Sequence, residues 1–391
     1  MKLFHSLLCF IAALLLPLSV QGQTASSHSL RHRIGLDLRP GLVIKDNPFF
    51  HGENQAEKPI RHALSAHLKY SFQFNENSRL GILYPHTYQG IGVSYNDLDN
   101  RQELGSPIGV YLFQGSRIAR IAPTLALDYE WNFGASFGWK QYDPLKNEHN
   151  VVVGSRVNAY INLSFLLNWQ LSPLWNLTTG LEFTHYSNGN TSYPNAGVNV
   201  IGTRVGLVRT FGEEPRSPNQ TTHIQSCFKP HFTYDLILYG ATRKRGIMNE
   251  TENFMIPGSF GIVGLNFNPM YNFNCNFRAG ASLDAQYDES ANIDQYYAGG
   301  NSDDPKFFKP PFREQFAVGI SARGELVMPI FSVNLGIGYN VIQKGEDTRG
   351  WYQLMALKIS ISRNLFLHVG YQLSKFKNPN NLMLGLGWRF Q

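Results

Sequence analysis

His185 and Ser187 stand two apart in the stretch Phe183-Thr184-His185-Tyr186-Ser187-Asn188-Gly189. In an extended strand that spacing puts both side chains on one face, with Cα atoms roughly 6 to 7 Å apart, so an imidazole nitrogen can lean toward the hydroxyl. A serine hydroxyl is a weak nucleophile until a neighbouring base takes its proton, which makes the pair a candidate for acyl transfer. Asn199 follows twelve positions after Ser187. By alternation it faces the same side from the next strand, where its amide can orient the imidazole. The backbone N–H groups of Asn188 and Gly189, where the chain leaves the strand, are candidate donors to an oxyanion.

The strands that must carry these groups show which face they occupy. Trp175, Leu177, Thr179, Leu181 and Phe183 share parity with His185 and Ser187, whereas Asn176, Thr178, Gly180, Glu182 and Thr184 take the other side. Asn199 shares parity with Ile201, Val205, Leu207 and Phe211, opposite Gly202, Arg204 and Gly206. The same period of two runs through 151–171, where every odd position except Ser155 is apolar and the even positions are mostly polar, and returns at Leu382, Leu384, Leu386, Trp388 and Phe390. Strands in water rarely sustain this so long; in a membrane barrel one face meets lipid and the other the lumen. The pair would then lie on the lipid-facing wall near one rim.

Composition agrees with that architecture. Charged residues are only 16% of the chain and aromatics 13%, with 36 glycines. Beyond the N-terminus no apolar run is long enough for a transmembrane helix, so a membrane would be crossed by strands. About sixteen candidate strands can be placed, and interruptions at Pro85, Gly105-Ser106-Pro107 and Gly115-Ser116 leave room for fewer. The expected fold is all-β: an antiparallel up-and-down barrel of the outer-membrane type with about 12–16 strands. Short connections at 75–78, 172–173, 268–269 and 362–364 alternate with long polar ones at 45–60, 141–150, 188–197, 241–254 and 289–312. The long ones are expected on the outer side. No internal repeat or disordered linker stands out, so 23–391 reads as a single β-barrel domain.

Residues 1–22 read as a signal peptide: basic Lys2, apolar Leu7 to Leu18, and small residues at Ser19-Val20-Gln21-Gly22. Cys9 sits too early in that segment to be a lipoprotein acceptor. Export implies the outer membrane of a Gram-negative-type envelope and argues against nucleic acid as a partner, since the net charge of +6 is gathered in no basic run or helix. Membrane lipids are the expected surroundings. Cys227 and Cys275, on strands that are not neighbours, are expected to be free thiols. Asp284, Asp288, Glu289, Asp294, Asp303 and Asp304 gather around a long loop and could hold Ca²⁺, although a solvated surface is the simpler reading. No zinc spacing, haem motif or phosphate-cradling glycine loop occurs, so no cofactor and no metal are implied.

His185-Tyr186-Ser187-Asn188-Gly189, with Pro194-Asn195-x-Gly197 downstream, resembles the signature of the outer-membrane lipid A 3-O-deacylases, some of whose relatives are called acyloxyacyl hydrolases. The resemblance covers about 106–212, with its specific motif within 183–199. It implies a serine esterase that removes a fatty acyl chain from lipid A, with His185 as base and Ser187 as nucleophile. In that family an acidic residue twelve positions after the serine orients the histidine; here the position is Asn199, and restoring a carboxylate there is expected to raise hydrolysis. The chain is about twice as long as the compact eight-stranded members, which leaves residues beyond 212 outside the resemblance. A channel or structural barrel with a vestigial hydrolase motif, and a phospholipase, are the rival readings. The sequence leaves the oligomeric state open.

Overall fold

The structure is a computed structural model that describes residues 30–76, 78–211, 228–248, 253–298, 306–375 and 378–391. The expected signal peptide and Cys227 lie outside them. In chain order the strands are β1 (Arg31–Val43), β2 (His62–Gln73), β3 (Tyr88–Asp97), β4 (Gly105–Ala122), β5 (Leu125–Trp139), β6 (Val157–Gln170), β7 (Trp175–Ser187) and β8 (Val198–Phe211). They continue with β9 (His231–Arg243), β10 (Gly246–Met248), β11 (Asn253–Met255), β12 (Phe260–Asn272), β13 (Phe277–Asp288), β14 (Tyr297–Ala298) and β15 (Lys306–Phe307). The last five are β16 (Phe316–Val327), β17 (Phe331–Ile342), β18 (Trp351–Ser360), β19 (Leu365–Ser374) and β20 (Asn378–Phe390).

These strands close twice. β8 returns to β1, completing an eight-stranded antiparallel barrel from β1–β8, and β20 returns to β9, completing a second from β9, β12, β13 and β16–β20. β10–β11 and β14–β15 are small hairpins in the loops of the second barrel. The sixteen wall strands match the upper end of the expected count, but the single enlarged barrel over 23–391 is replaced by two. Alternation along a strand does not say which strand closes the sheet. Pairing β8 with β1 satisfies both edges at eight strands, a size whose lumen side chains can fill.

The first barrel shows the inversion plainly in Leu36-Asp37-Leu38-Arg39, where both leucines are exposed and both charged residues buried. Asp37, Glu130 and Glu182 are knit to Arg39, Lys69 and Arg204 within the lumen, with Arg204 1% exposed. The second barrel repeats the scheme: Tyr234, Leu236 and Leu238 face out, while Asp235 and Glu325 bind Lys358, Arg278 and Arg389 inside. Pairing charges of opposite sign makes their burial tolerable, and an apolar exterior around a polar, side-chain-filled interior is the pattern of an outer-membrane-type barrel. No described helix is long and apolar enough to cross a membrane.

Several local expectations shift. Residues 151–156 do not extend β6; Val152 and Val153 bury themselves in a cluster with Phe49, Phe50, Leu98, Leu104 and Trp139 at the loop end of the first barrel. Gly115-Ser116 is not a turn, because β4 runs on to Ala122 through two register shifts. Asn268-Pro269 lies inside β12 rather than between strands; Pro269 opposes Tyr234 of β9, and β12–β13 pairing skips both residues, as a residue without an N–H permits. Cys275 is a free thiol in the β12–β13 turn. The acidic set disperses: Asp284 pairs with Arg323, Asp288 with Arg243 and Asp294 with Arg245. Asp303 and Asp304 lie outside the described residues.

The barrels pack side by side with their long loops at the same end. Leu112, Trp131 and Phe133 of the first meet Met328, Phe331 and Leu357 of the second, with the Trp131 and Phe331 rings 5.4 Å apart edge to face. At the turn end the Tyr84 hydroxyl donates to the Cys275 carbonyl. At the loop end Lys244 N–H donates to the Thr191 carbonyl.

Candidate functional site

His185 and Asn199 lie directly opposite one another where β7 pairs with β8. Both, with Ser187, point to the outside of the first barrel and are half-buried, in line with exposed Leu181 and Phe183 on β7 and Ile201 and Val205 on β8. Nδ1 of His185 donates to Oδ1 of Asn199 at 2.7 Å. In the neutral imidazole that bond makes Nε2 the acceptor nitrogen. No hydrogen bond joins His185 to Ser187 among the described residues.

Behind Asn199 stands a group that sequence reasoning missed. Nδ2 of Asn199 donates to Oδ2 of Asp46 at 2.7 Å. Asp46 follows β1, and the Ile44 N–H donating to the Asn199 carbonyl extends the β1–β8 ladder up to it. Next to it Asn47 caps the helical turn Pro48–His51, whose Phe49 and Phe50 plug the loop end of the barrel and so fix the segment. The row is Asp46–Asn199–His185: the carboxylate orients the amide, and the amide orients the imidazole.

The loop after Ser187 is held by its own asparagines. The Asn188 N–H donates to Oδ1 of Asn195, and the Asn188 side chain donates to the carbonyls of Ser192 and Pro194. Asn188 is therefore a brace whose N–H is already used, which corrects its expected part as an oxyanion donor. The Gly189 N–H makes no hydrogen bond among the described residues. Gly189 has φ +63°, and a Cβ there would touch Leu382 of the second barrel at 3.4 Å. Gly197 has φ +78°, and a Cβ there would lie 2.8 Å from the Tyr186 carbonyl and 3.3 Å from Cε1 of His185. Only glycine fits beside the imidazole in that conformation. In the same loop burial, with Tyr142 beside it, pushes the Tyr193 hydroxyl up from its ordinary pKa.

Below the pair, Leu163, Phe183 and Ile201 present an apolar surface that an acyl chain could follow. Among the described residues no group of His, Cys, Asp and Glu is arranged to hold a metal ion. A serine, a histidine and an amide hydrogen-bonded to that histidine thus lie together on the outer wall of an eight-stranded barrel. The family described as lipid A 3-O-deacylase (PagL) matches residues 66–208, and that described as acyloxyacyl hydrolase, C-terminal domain, matches 232–391. The two matches together take in most of the chain, one for each barrel, and the chain belongs to the lipid A 3-O-deacylase/acyloxyacyl hydrolase family. Residues beyond 212, expected to fall outside the resemblance, thus carry the match to the acyloxyacyl hydrolase C-terminal domain.

No curated protein matches the chain. Among solved structures it is similar to the siderophore receptor PirA from Pseudomonas aeruginosa, at 11% identity over 93% of this chain and 81% of that one, with a TM-score of 0.26. An outer membrane channel from Pseudomonas putida F1 shares 8% identity over 94% of this chain and 100% of that one, with a TM-score of 0.22. Likenesses this slight bear on neither the site nor the function.

Proposed function

We propose that the protein is an outer-membrane serine esterase that removes an ester-linked fatty acyl chain from lipid A at the lipid-facing wall of its first barrel. The observation that carries the reading is the hydrogen bond from His185 to Asn199 on the outer, apolar side of the wall, beside Ser187. His185 Nε2 takes the hydroxyl proton as Ser187 Oγ attacks the ester carbonyl. The same proton passes to the departing sugar oxygen, leaving an acyl-serine. A water then attacks, giving its proton to His185, and releases the fatty acid and the serine hydroxyl. With the Asn188 N–H occupied, the Gly189 N–H is the donor left for the oxyanion. Asn199 cannot offset the charge of the imidazolium, but Asp46, one hydrogen bond behind it, places a carboxylate in the row. Because substrate reaches the outside of the wall from the bilayer, the filled lumen is no obstacle.

The channel reading fits less well, because both lumens are crossed by buried ion pairs. Purified protein in detergent, given lipid A, should release one fatty acid per substrate as followed by mass spectrometry. Glycerophospholipid cleaved in preference would turn the assignment to a phospholipase, and no release from either would remove the enzymatic reading.

A further inference from the structure

We infer that the open end of the second barrel is the subsite for the phosphorylated saccharide headgroup of the substrate whose acyl ester meets Ser187. A polar cavity of about 400 Å³ opens there, walled on one side by Asn190 and Tyr193 from the loop that follows Ser187 and on the other by rim residues of the second barrel. Asn190 is three residues beyond Ser187, so cavity and nucleophile are within roughly 10 Å along the chain. That loop is fastened to the second barrel at several points. Nδ2 of Asn190 donates to the Asn380 carbonyl, Lys244 N–H donates to the Thr191 carbonyl, and the Tyr193 ring lies against Gly246.

The charges in the cavity indicate what it would take. Its four carboxylates are all committed: Asp288 to Arg243, Asp294 and Asp347 to Arg245, and Glu346 to Arg349. Lys244 and Lys375 line the same cavity, are exposed, and meet no carboxylate among the described residues. Fixed amides and paired carboxylates suit sugar hydroxyls, and two uncommitted ammonium groups suit a phosphoryl oxygen. At this end the mouth of the first barrel is filled by Phe49, Phe50, Val152 and Val153. A glycolipid could therefore lie with its acyl chain along Phe183 and Leu163 and its head across the second barrel.

The identity of the acyl ester rests on the proposed function; the headgroup site does not, and the two are separable. The probe is the fully deacylated, phosphorylated glucosamine disaccharide, titrated calorimetrically into the full chain. The parent should bind it, and Lys244→Glu with Lys375→Glu should weaken binding at least about tenfold, the loss of about 1.4 kcal/mol. In parallel the double variant should raise KM for lipid A while leaving cleavage of a p-nitrophenyl acyl ester unchanged. No binding by the parent, undiminished binding by the variant, or equal effects on both esters would overturn the subsite. Binding without any hydrolysis would instead overturn the enzymatic reading and leave the subsite standing.

Discussion

The two barrels share strand number, closure and an interior of buried ion pairs, yet differ in where they put their exposed polar chemistry. On β7 of the first, the histidine faces out and meets Asn199 across the ladder. On β19, the corresponding seventh strand of the second, His368 faces in, 1% exposed, and the outward residues near the rim are Val369 and Tyr371 opposite Leu384 and Leu382. The loop ends differ in the opposite sense: the first is stoppered by apolar side chains, and the second opens into a polar cavity. A barrel wall is a neutral scaffold, and one step of parity decides whether a histidine faces the outside or the lumen.

The contrast is broken most severely at the nucleophile. Ser187→Ala and His185→Ala should each lower hydrolysis by about a thousandfold or more, with the double variant no worse than either single one because the two act as a unit. His368→Gln should leave activity per folded molecule within about twofold of the parent, since it touches no reacting atom. Heat-dependent gel mobility checks that the barrels remain closed, and a loss of activity in His368→Gln would erase the distinction drawn between the strands.

The interiors should respond alike. Arg204→Met in the first barrel takes one cation from Asp37 and Glu130, which keep Arg39 and Lys69, and Lys358→Met in the second takes one from Asp235 and Glu325, which keep Arg389 and Arg278. Each change should cost about 3–5 kcal/mol, because two buried carboxylates each lose one of the cations that hold them. Denaturant titration with a tryptophan probe would register it, and a negligible cost in either barrel would show that its lumen charges are solvated.

A smaller effect tests the row behind His185. Adding a carboxylate by Asn199→Glu, which the sequence alone favours, would set it against Asp46, and one of two adjacent acids must then take up a proton. The single change should slow hydrolysis by about tenfold, and Asp46→Asn combined with Asn199→Glu should restore it, a coupling of about 1.4 kcal/mol. Additive losses would dismiss Asp46 as a bystander. Smaller still, Gly197→Ala should cost about 1–2 kcal/mol of stability from its positive φ and slow hydrolysis through the crowded imidazole. Unchanged kinetics would show that the loop relaxes.

Much of this was legible in the sequence because alternation is local. The parity of Phe183, His185, Ser187 and Asn199 placed all four on one face before any coordinates, and the structure puts them there. Closure was not legible, since β8 has the same alternating pattern whether it pairs with β1 or continues to β9. The available hint was the polar run Gly212-Glu213-Glu214-Pro215-Arg216-Ser217-Pro218 between them. Asp46 followed from that same blind spot: it reaches Asn199 across 153 positions only because β1 and β8 are neighbours. The use of the Asn188 N–H by Asn195 depends on loop folding that no period reports.

Mass spectrometry of lipid A from cells producing equal amounts of folded parent or Ser187→Ala protein tests the central claim most directly. The account predicts lipid A lighter by one ester-linked acyl chain with the parent and full-mass lipid A with Ser187→Ala. Identical spectra from the two would contradict it.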